Sequence, residues 1–402
     1  MANVSSSNGL EKRPKLRFPS FDEPYKQCRI GDIYAERSQR GASDMELLSV
    51  TMNDGVMPRS EIEGKDNSSE DKSNYKVVLT GDMVYNSMRM WQGANGISPC
   101  DGIVSPAYTV LMPKIPISNG YFAAFFKSPN LINEFRKNSQ GMTSDTWNLK
   151  YPQIETIKVC IPALSEQNRV ADMLRTLERR IAKQAQLVDN LKKYKRGVMQ
   201  RIFRQLPSQN GTEWTCVRLG DIFKKVSRRN TDGVIKNVIT NSAEYGLIPQ
   251  RDFFDKDIAV DGNTANYYVI ENGDFVYNPR KSNSAPYGPF NRYTLSEQGI
   301  ISPLYTCLVL QADISPSYLA WYFKSDAWYR YIYDNGSQGV RHDRVSMTDD
   351  LLMGIPVMYP SHVKQLLYAD ILDMVEARLQ ATQKTLDLLS KTRDGYMRQL
   401  FI

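Results

Sequence analysis

The sequence predicts an α+β protein built as two similar halves, each a domain followed by a long helix, with the two helices packed on each other. Three observations lead there: an ordered internal repeat, a heptad pattern that closes each half, and a β-prone texture in front of each heptad run.

The repeat sets the architecture. "IGDIY" at 30–34 returns as "LGDIF" at 219–223, and "GDMVYN" at 81–86 as "GDFVYN" at 273–278. "GIVSPAYTV" at 102–110 returns as "GIISPLYTC" at 299–307, and "YFAAFFKS" at 121–128 as "YLAWYFKS" at 318–325. "SQG" at 139–141 recurs at 337–339, and "MQRIF" at 199–203 as "MRQLF" at 397–401. The order is the same and the offset drifts only from 189 to 198. A period near 200 residues is too long for a solenoid unit, so each half is a domain plus an attachment.

That attachment is a helix. In 164–204, apolar residues alternate at spacings of four and three: Val170, Leu174, Leu177, Ile181, Val188, Leu191, Val198 and Ile202, with polar Gln184 and Lys195 on the same seam. Ser165 is the expected N-cap and Glu166 falls in the first turn. The second copy, offset by 198, reads Tyr368, Leu372, Val375, Leu379, Thr382, Leu386, Leu389, Arg393, Tyr396 and Leu400. Its polar interruptions, Thr382 and Arg393, match the first copy. Sustained heptads with matched polar positions predict that the two helices pack on each other.

In front of each helix, residues 25–160 and 214–358 hold short β-prone runs broken by turn signals, such as "YKVVLTGD" and "YYVIENGDFVYN". The Gly-Asp pairs at 81–82 and 273–274 read as turns that lead into strands. "NGYFAAFFKSPNLINEFRKN" and "PSYLAWYFKSDAWYRYIYDN" each read as a short helix, and "QLPSQNGTE" at 205–213 as a linker. The opening "MANVSSSNGLEKRPK" lacks the apolar stretch of a secretory signal and reads as a disordered leader.

Composition narrows the function. No apolar run approaches the roughly 18–20 residues that span a bilayer. Five dispersed cysteines without a CxxC pair point to reduced thiols in a cytoplasm. Only two histidines, His342 and His362, make a His/Cys zinc site improbable and remove the commonest general base. The net charge of +7 is compatible with nucleic acid.

Marks of catalysis are missing. Asn278-Pro279 is followed by Arg280, which breaks the N-P-P-[YF] pattern of amino-group methyltransferases at its third position. There is no GxGxxG or GxxxxGK[ST] loop. "EGK" at 63–65 fits a nuclease triplet but lies in a polar stretch with no counterpart in the second half. The pattern is that of a binding protein with two binding units.

The sequence resembles the specificity subunits of type I DNA restriction–modification systems. The resemblance rests on "IPALSEQNRVADMLRTLERRIAKQAQLVDNLKKYKRGVMQRIF" and its second copy, on the "LGDI"-type openings, and on "PKLRF" at 14–18. The second helix departs by opening with "YPSHVKQLLYADIL", without the "LSEQ" start. The resemblance implies a leader at 1–24, target recognition domains at 25–164 and 214–360, and spacer helices at 165–204 and 361–402 packed as an antiparallel coiled coil. It implies that each domain reads one half of a split target in double-stranded DNA, and that the coil docks two methyltransferase subunits. Those subunits would bind S-adenosylmethionine and methylate adenine; motor-nuclease subunits would use ATP and Mg. This chain would carry no cofactor or metal and would work in a prokaryotic cytoplasm, away from membranes. A coiled-coil adaptor, a self-sufficient modifying enzyme and a methylation-only system are the alternatives.

Base reading needs Arg or Lys for guanine and Asn or Gln for adenine, with further donors for phosphate. Four clusters supply them: Asn86, Ser87, Arg89, Trp91, Gln92 and Asn95; Asn278, Arg280, Lys281, Ser282 and Asn283; Lys137, Asn138, Ser139 and Gln140; and Ser337, Gln338, Arg341, His342 and Arg344. Residues shared by both halves cannot distinguish two targets, so the "VYN" and "SQG" cores read as scaffold. The divergent tails "SMRMWQG" and "PRKSNSA" are the better readers. A separate basic run, Lys192, Lys193, Lys195, Arg196, Arg201 and Arg204, has no acid between its ends and suits phosphate or partner docking.

Overall fold

The computed structural model describes residues 13–41, 44–52, 54–66, 68–144, 146–204, 213–252, 264–336 and 343–402. The chain divides into two compact units: 1–186 with 383–402, and 187–382.

In the first unit, four antiparallel strands lie in the order Tyr34–Glu36, Tyr108–Pro113, Met83–Asn86, Asn95–Ile97. The "MVYN" strand is buried on both faces. Met83 and Tyr85 point into a core with Ile30, Leu111 and Phe122, while Val84 points into a smaller core with Val50, Val78 and Val110. This is the period-two alternation of a sandwiched strand. The second unit repeats it, with strands ordered Phe223–Lys225, Thr306–Leu310, Phe275–Tyr277, Phe290–Arg292. Phe275 and Tyr277 enter one core and Val276 the other. Burial on both sides explains why "VYN" is written in both halves.

The Gly-Asp turns behave as expected. Gly81 and Gly273 take positive φ, at 93° and 100°. The following carboxylates close their turns by accepting the Leu79 N–H at 2.9 Å and the Glu271 N–H at 2.8 Å.

Each expected short helix is two. Asn119–Phe125 and Pro129–Asn138 are separated at Ser128, which caps the second piece with Pro129 in its first turn. Pro316–Lys324 and Tyr329–Asn335 are likewise separate. The leader is shorter than 1–24. Leu16 and Phe18 pack against the first core, and the Leu16 N–H donates to the Gln399 carbonyl at 3.0 Å. Residues 1–12 and 205–212, the rest of the leader and most of the linker, lie outside the described residues.

The long helices run Leu164–Phe203 and His362–Gln399. Ser165 is not the N-cap. The Ala163 carbonyl already accepts from the Gln167 N–H at 3.0 Å, so the helix starts earlier and Ser165 is an exposed helical residue. Glu166 is buried and gripped by Arg17 through two bonds, at 2.8 and 2.9 Å, which gives "PKLRF" its structural role. All ten seam positions of each helix are buried or half-buried. The first unit takes Val170 and Leu174 from the start of one helix and Leu400 and Phe401 from beyond the end of the other. The second takes Ala369 and Leu372 together with Ile202 and Phe203. The repeated "MQRIF" and "MRQLF" are thus core-filling helix ends.

The two charged seam positions are paired. In the first unit Arg393 lies 3.8 Å from Glu178; in the second Lys195 lies 2.6 Å from Glu376. Adding the 198-residue offset to Glu178 gives Glu376, and subtracting it from Arg393 gives Lys195. The two ion pairs are therefore the same pair written twice, and they fix an antiparallel register.

The second helix lacks the "LSEQ" start but keeps its glutamine, Gln365 standing 198 residues after Gln167. Buried Gln167 donates to the Pro162 carbonyl at 2.9 Å and accepts the Ser118 N–H at 3.0 Å. Buried Gln365 donates to the Pro360 carbonyl at 2.9 Å and accepts the Ser315 N–H at 2.8 Å. Replacing Gln365 by Ala leaves a buried donor and acceptor without partners. We expect a loss of about 1–3 kcal/mol in denaturant unfolding, and a similar loss for Gln167→Ala.

Candidate nucleic-acid interface

The sandwiched strand delivers its asparagine to the same task in both domains. The side-chain oxygen of Asn86 accepts the Met88 N–H at 3.0 Å, and that of Asn278 accepts the Arg280 N–H at 2.9 Å. Each bond opens a turn of the Asx type. Beyond it, the chain bonds a later segment in an equivalent way: the Leu149 N–H donates to the Ser87 carbonyl, and the Val345 N–H to the Pro279 carbonyl, both at 2.9 Å. The divergent tails are therefore held against 146–149 and 343–345.

In the first domain this joins the first and third clusters. Trp91 meets Trp147 edge to face at 5.1 Å, and the Arg136 guanidinium lies over the Trp147 ring at 5.5 Å. Gln140 and Asn148 exchange backbone hydrogen bonds at 2.8 and 2.9 Å. Arg89 and Gln140 are exposed, and Trp91 and Gln92 half-buried. Lys137 pairs with Glu134 at 2.7 Å, while Asn138 and Ser139 bond to carbonyls of their own helix.

In the second domain the second and fourth clusters meet. Arg280 and Arg344 are bridge partners on adjacent antiparallel segments. A cleft of about 530 Å³ opens beside them, lined by Arg280, Lys281, Ser282, Thr240, Gln250 and Tyr305. Burial raises the Tyr305 pKa, and the charges of Arg280 and Arg344 pull it the other way. Ser282 accepts the Ala285 N–H at 3.1 Å and shapes the loop; Asn283 is exposed. Gly288, at φ 86°, passes so close to the Asn278 carbonyl that a Cβ would strike it.

Three expected readers are scaffold. Ser87 is buried and shares a hydrogen bond with Thr109 at 2.8 Å. Asn95 is fully buried and donates to the Gly93 and Phe126 carbonyls. Asn278 is buried and donates to the Asn241 carbonyl at 3.3 Å. None can present its side chain to a base edge. Ser337, Gln338, Arg341 and His342 lie outside the described residues. Arg136, Trp147, Asn148, Gln250 and Tyr305 lie beside these clusters and are not among the residues the sequence singled out. The signal for the segment 147–149 was its place opposite 343–345 in the repeat, which carries no shared residue.

The basic run of the first long helix is partly engaged. Lys192, Lys195 and Arg196 line a cleft of about 470 Å³ with Lys324 and Asp326. Lys195 and Lys324 flank the Trp321 ring, at 5.3 and 4.7 Å, and Arg204 pairs with Asp326. Burial lowers the Lys324 pKa, and neighbouring Lys195 adds to the effect. In "EGK", the Gly64 and Lys65 carbonyls accept from Arg59 at 3.1 and 2.7 Å. Among the described residues, no group of three His, Cys, Asp or Glu side chains is placed to hold a metal, and no helix is long and apolar enough to cross a membrane.

Scaffold and reader residues should separate by stability. Asn95→Ala and Asn278→Ala should each cost about 1–3 kcal/mol in urea unfolding. Arg89→Ala and Arg280→Ala should stay within about 0.5 kcal/mol of the wild type.

No family model matches the sequence. Solved structures do match over nearly the whole chain. The HsdS subunit from Thermoanaerobacter tengcongensis is 15% identical, with 94% of this chain and 96% of that one covered and a TM-score of 0.50. A chain from a structural study of complex assembly and conformational transition in the type I R-M system is 14% identical, with 94% and 97% covered and a TM-score of 0.57. The type I restriction–modification S subunit from M. genitalium is 13% identical, with 97% and 99% covered and a TM-score of 0.57. The chain has the fold of type I restriction–modification specificity subunits, two α+β domains and two long antiparallel helices.

Proposed function

We propose that this chain is the DNA sequence-specificity subunit of a type I restriction–modification complex. One observation carries the reading: a duplicated scaffold presents divergent residues at the same structural place in both halves. Equivalent backbone bonds, Leu149 to Ser87 and Val345 to Pro279, hold "SMRMWQG" in one domain and "PRKSNSA" in the other. A conserved frame with a variable reading edge suits recognition of two different short words. The likeness in fold to known specificity subunits supports the same reading.

The chain supplies the address and its partners the chemistry. Two methyltransferase subunits, docked on the paired helices, would bind S-adenosylmethionine and methylate adenine. Motor-nuclease subunits would use ATP and Mg. The work would take place in the cytoplasm of a prokaryote. The paired helices act as a spacer, because their ion pairs and buried ends fix the register.

Co-expression with the cognate methyltransferase should produce adenine methylation at a bipartite motif, two unlike words around a gap of fixed length, read by genome-wide methylation mapping. A continuous motif, or none, overturns the proposal. Inserting four residues into each helix adds about 6 Å, close to two base pairs. The gap should lengthen while both words persist. In a purified complex, DNA affinity should fall steeply with salt.

A further inference from the structure

The two reading edges differ in chemistry at one equivalent pair of positions. In the second domain, the Lys281 N–H donates to the Asp343 carbonyl at 2.8 Å and the Val345 N–H to the Pro279 carbonyl at 2.9 Å. These bonds flank Arg280 and Arg344, which form a directly opposed antiparallel pair. Their pattern is that of the non-hydrogen-bonded site, where opposed Cα atoms approach to about 4.5 Å and side chains share one face. Two cations there repel each other. The Asp343 carboxylate offsets part of this, lying 3.8 Å from Arg280 and 4.0 Å from Arg344. One carboxylate between two guanidinium groups leaves a net positive charge and several free donors. Arg280 is mostly exposed and Arg344 about one-third exposed.

The pair stands on rigid ground. Asn278 anchors the turn before Arg280. Asn241 ties that turn to the sheet: its carbonyl accepts from the Asn278 side chain at 3.3 Å, while its own side chain donates to the Val276 carbonyl and accepts from Asn291, both at 2.8 Å. Following the equivalent bond from Leu149 to Ser87, the matching positions in the first domain are Met88 and Asn148. Neither carries a guanidinium.

We propose that Arg280 and Arg344 are a paired guanine reader that sets the half-site of the second domain, and that the first domain has no counterpart at these positions. The inference rests on the DNA-reading function proposed above. A guanidinium fork matches the O6 and N7 acceptors of guanine in the major groove, and the hydrogen-bonded turn fixes where the backbone of Arg280 stands. A phosphate contact needs only charge, which lysine keeps; lysine can also reach guanine but lacks the planar fork, so the exchange weakens base reading more than phosphate contact.

The test is the full chain, assembled with its methyltransferase, as wild type, Arg280→Lys and Arg344→Lys. Methylation mapping should show guanine in one word of the wild type. The lysine variants should relax guanine in that word by roughly tenfold to a hundredfold and leave the other word intact. A wild type without a bipartite motif overturns the specificity function and this inference together. A bipartite motif unchanged in both variants, or a relaxed position that is not a G·C pair, overturns this inference alone. If methylation is lost altogether in the variants, competition binding with single-base duplexes decides. Undiminished rejection of non-guanine bases overturns the proposal; loss of that rejection, at an unaltered salt slope, supports it.

Discussion

Neither domain closes its core alone. Each is completed by the first turns of one long helix and the final residues of the other: Val170, Leu174, Leu400 and Phe401 in one unit, Ala369, Leu372, Ile202 and Phe203 in the other. Fully burying a Val, Leu, Ile or Phe side chain is worth about 1.5–3 kcal/mol, so separating a helix end from its domain exposes several such groups at once. The stability of each domain is therefore tied to the pairing of the helices. The register of the helices follows from the cores as much as from the seam.

The polar groups refine what the apolar ends begin. The pairs Glu178–Arg393 and Glu376–Lys195 are each worth little as partly exposed salt bridges. Their value lies in register, because a slip of either helix would leave charges facing apolar seam residues. Buried Gln167 and Gln365 set the other coordinate, the angle at which each helix leaves its sheet, by bonding a carbonyl just before the helix and an amide across the domain.

On this frame the two domains divide labour by residue type. Glycines and side-chain caps are held in common, because a two-sided strand and a tight turn admit few alternatives. The edges that face outward are free to diverge, and they have done so: a tryptophan pair with amides in one domain, opposed arginines beside a tyrosine in the other.

The sequence by itself determined the duplication, both long helices, the seam and the scaffold role of "VYN". Those features are periodic or repeated, and burial imposes periodicity on any chain that satisfies it. It also singled out the loops 87–92 and 279–282, which the fold brings together with 147–149 and 343–345, since divergence within a repeat marks surface. Tertiary structure alone decided that Ser87 and Asn95 turn inward, that Arg17 answers Glu166, and that Arg280 stands opposite Arg344. Each of these depends on which distant segment the chain meets. Polar residues in loops carry no local sign of whether they will find a partner inside the protein or be left to seek one outside it.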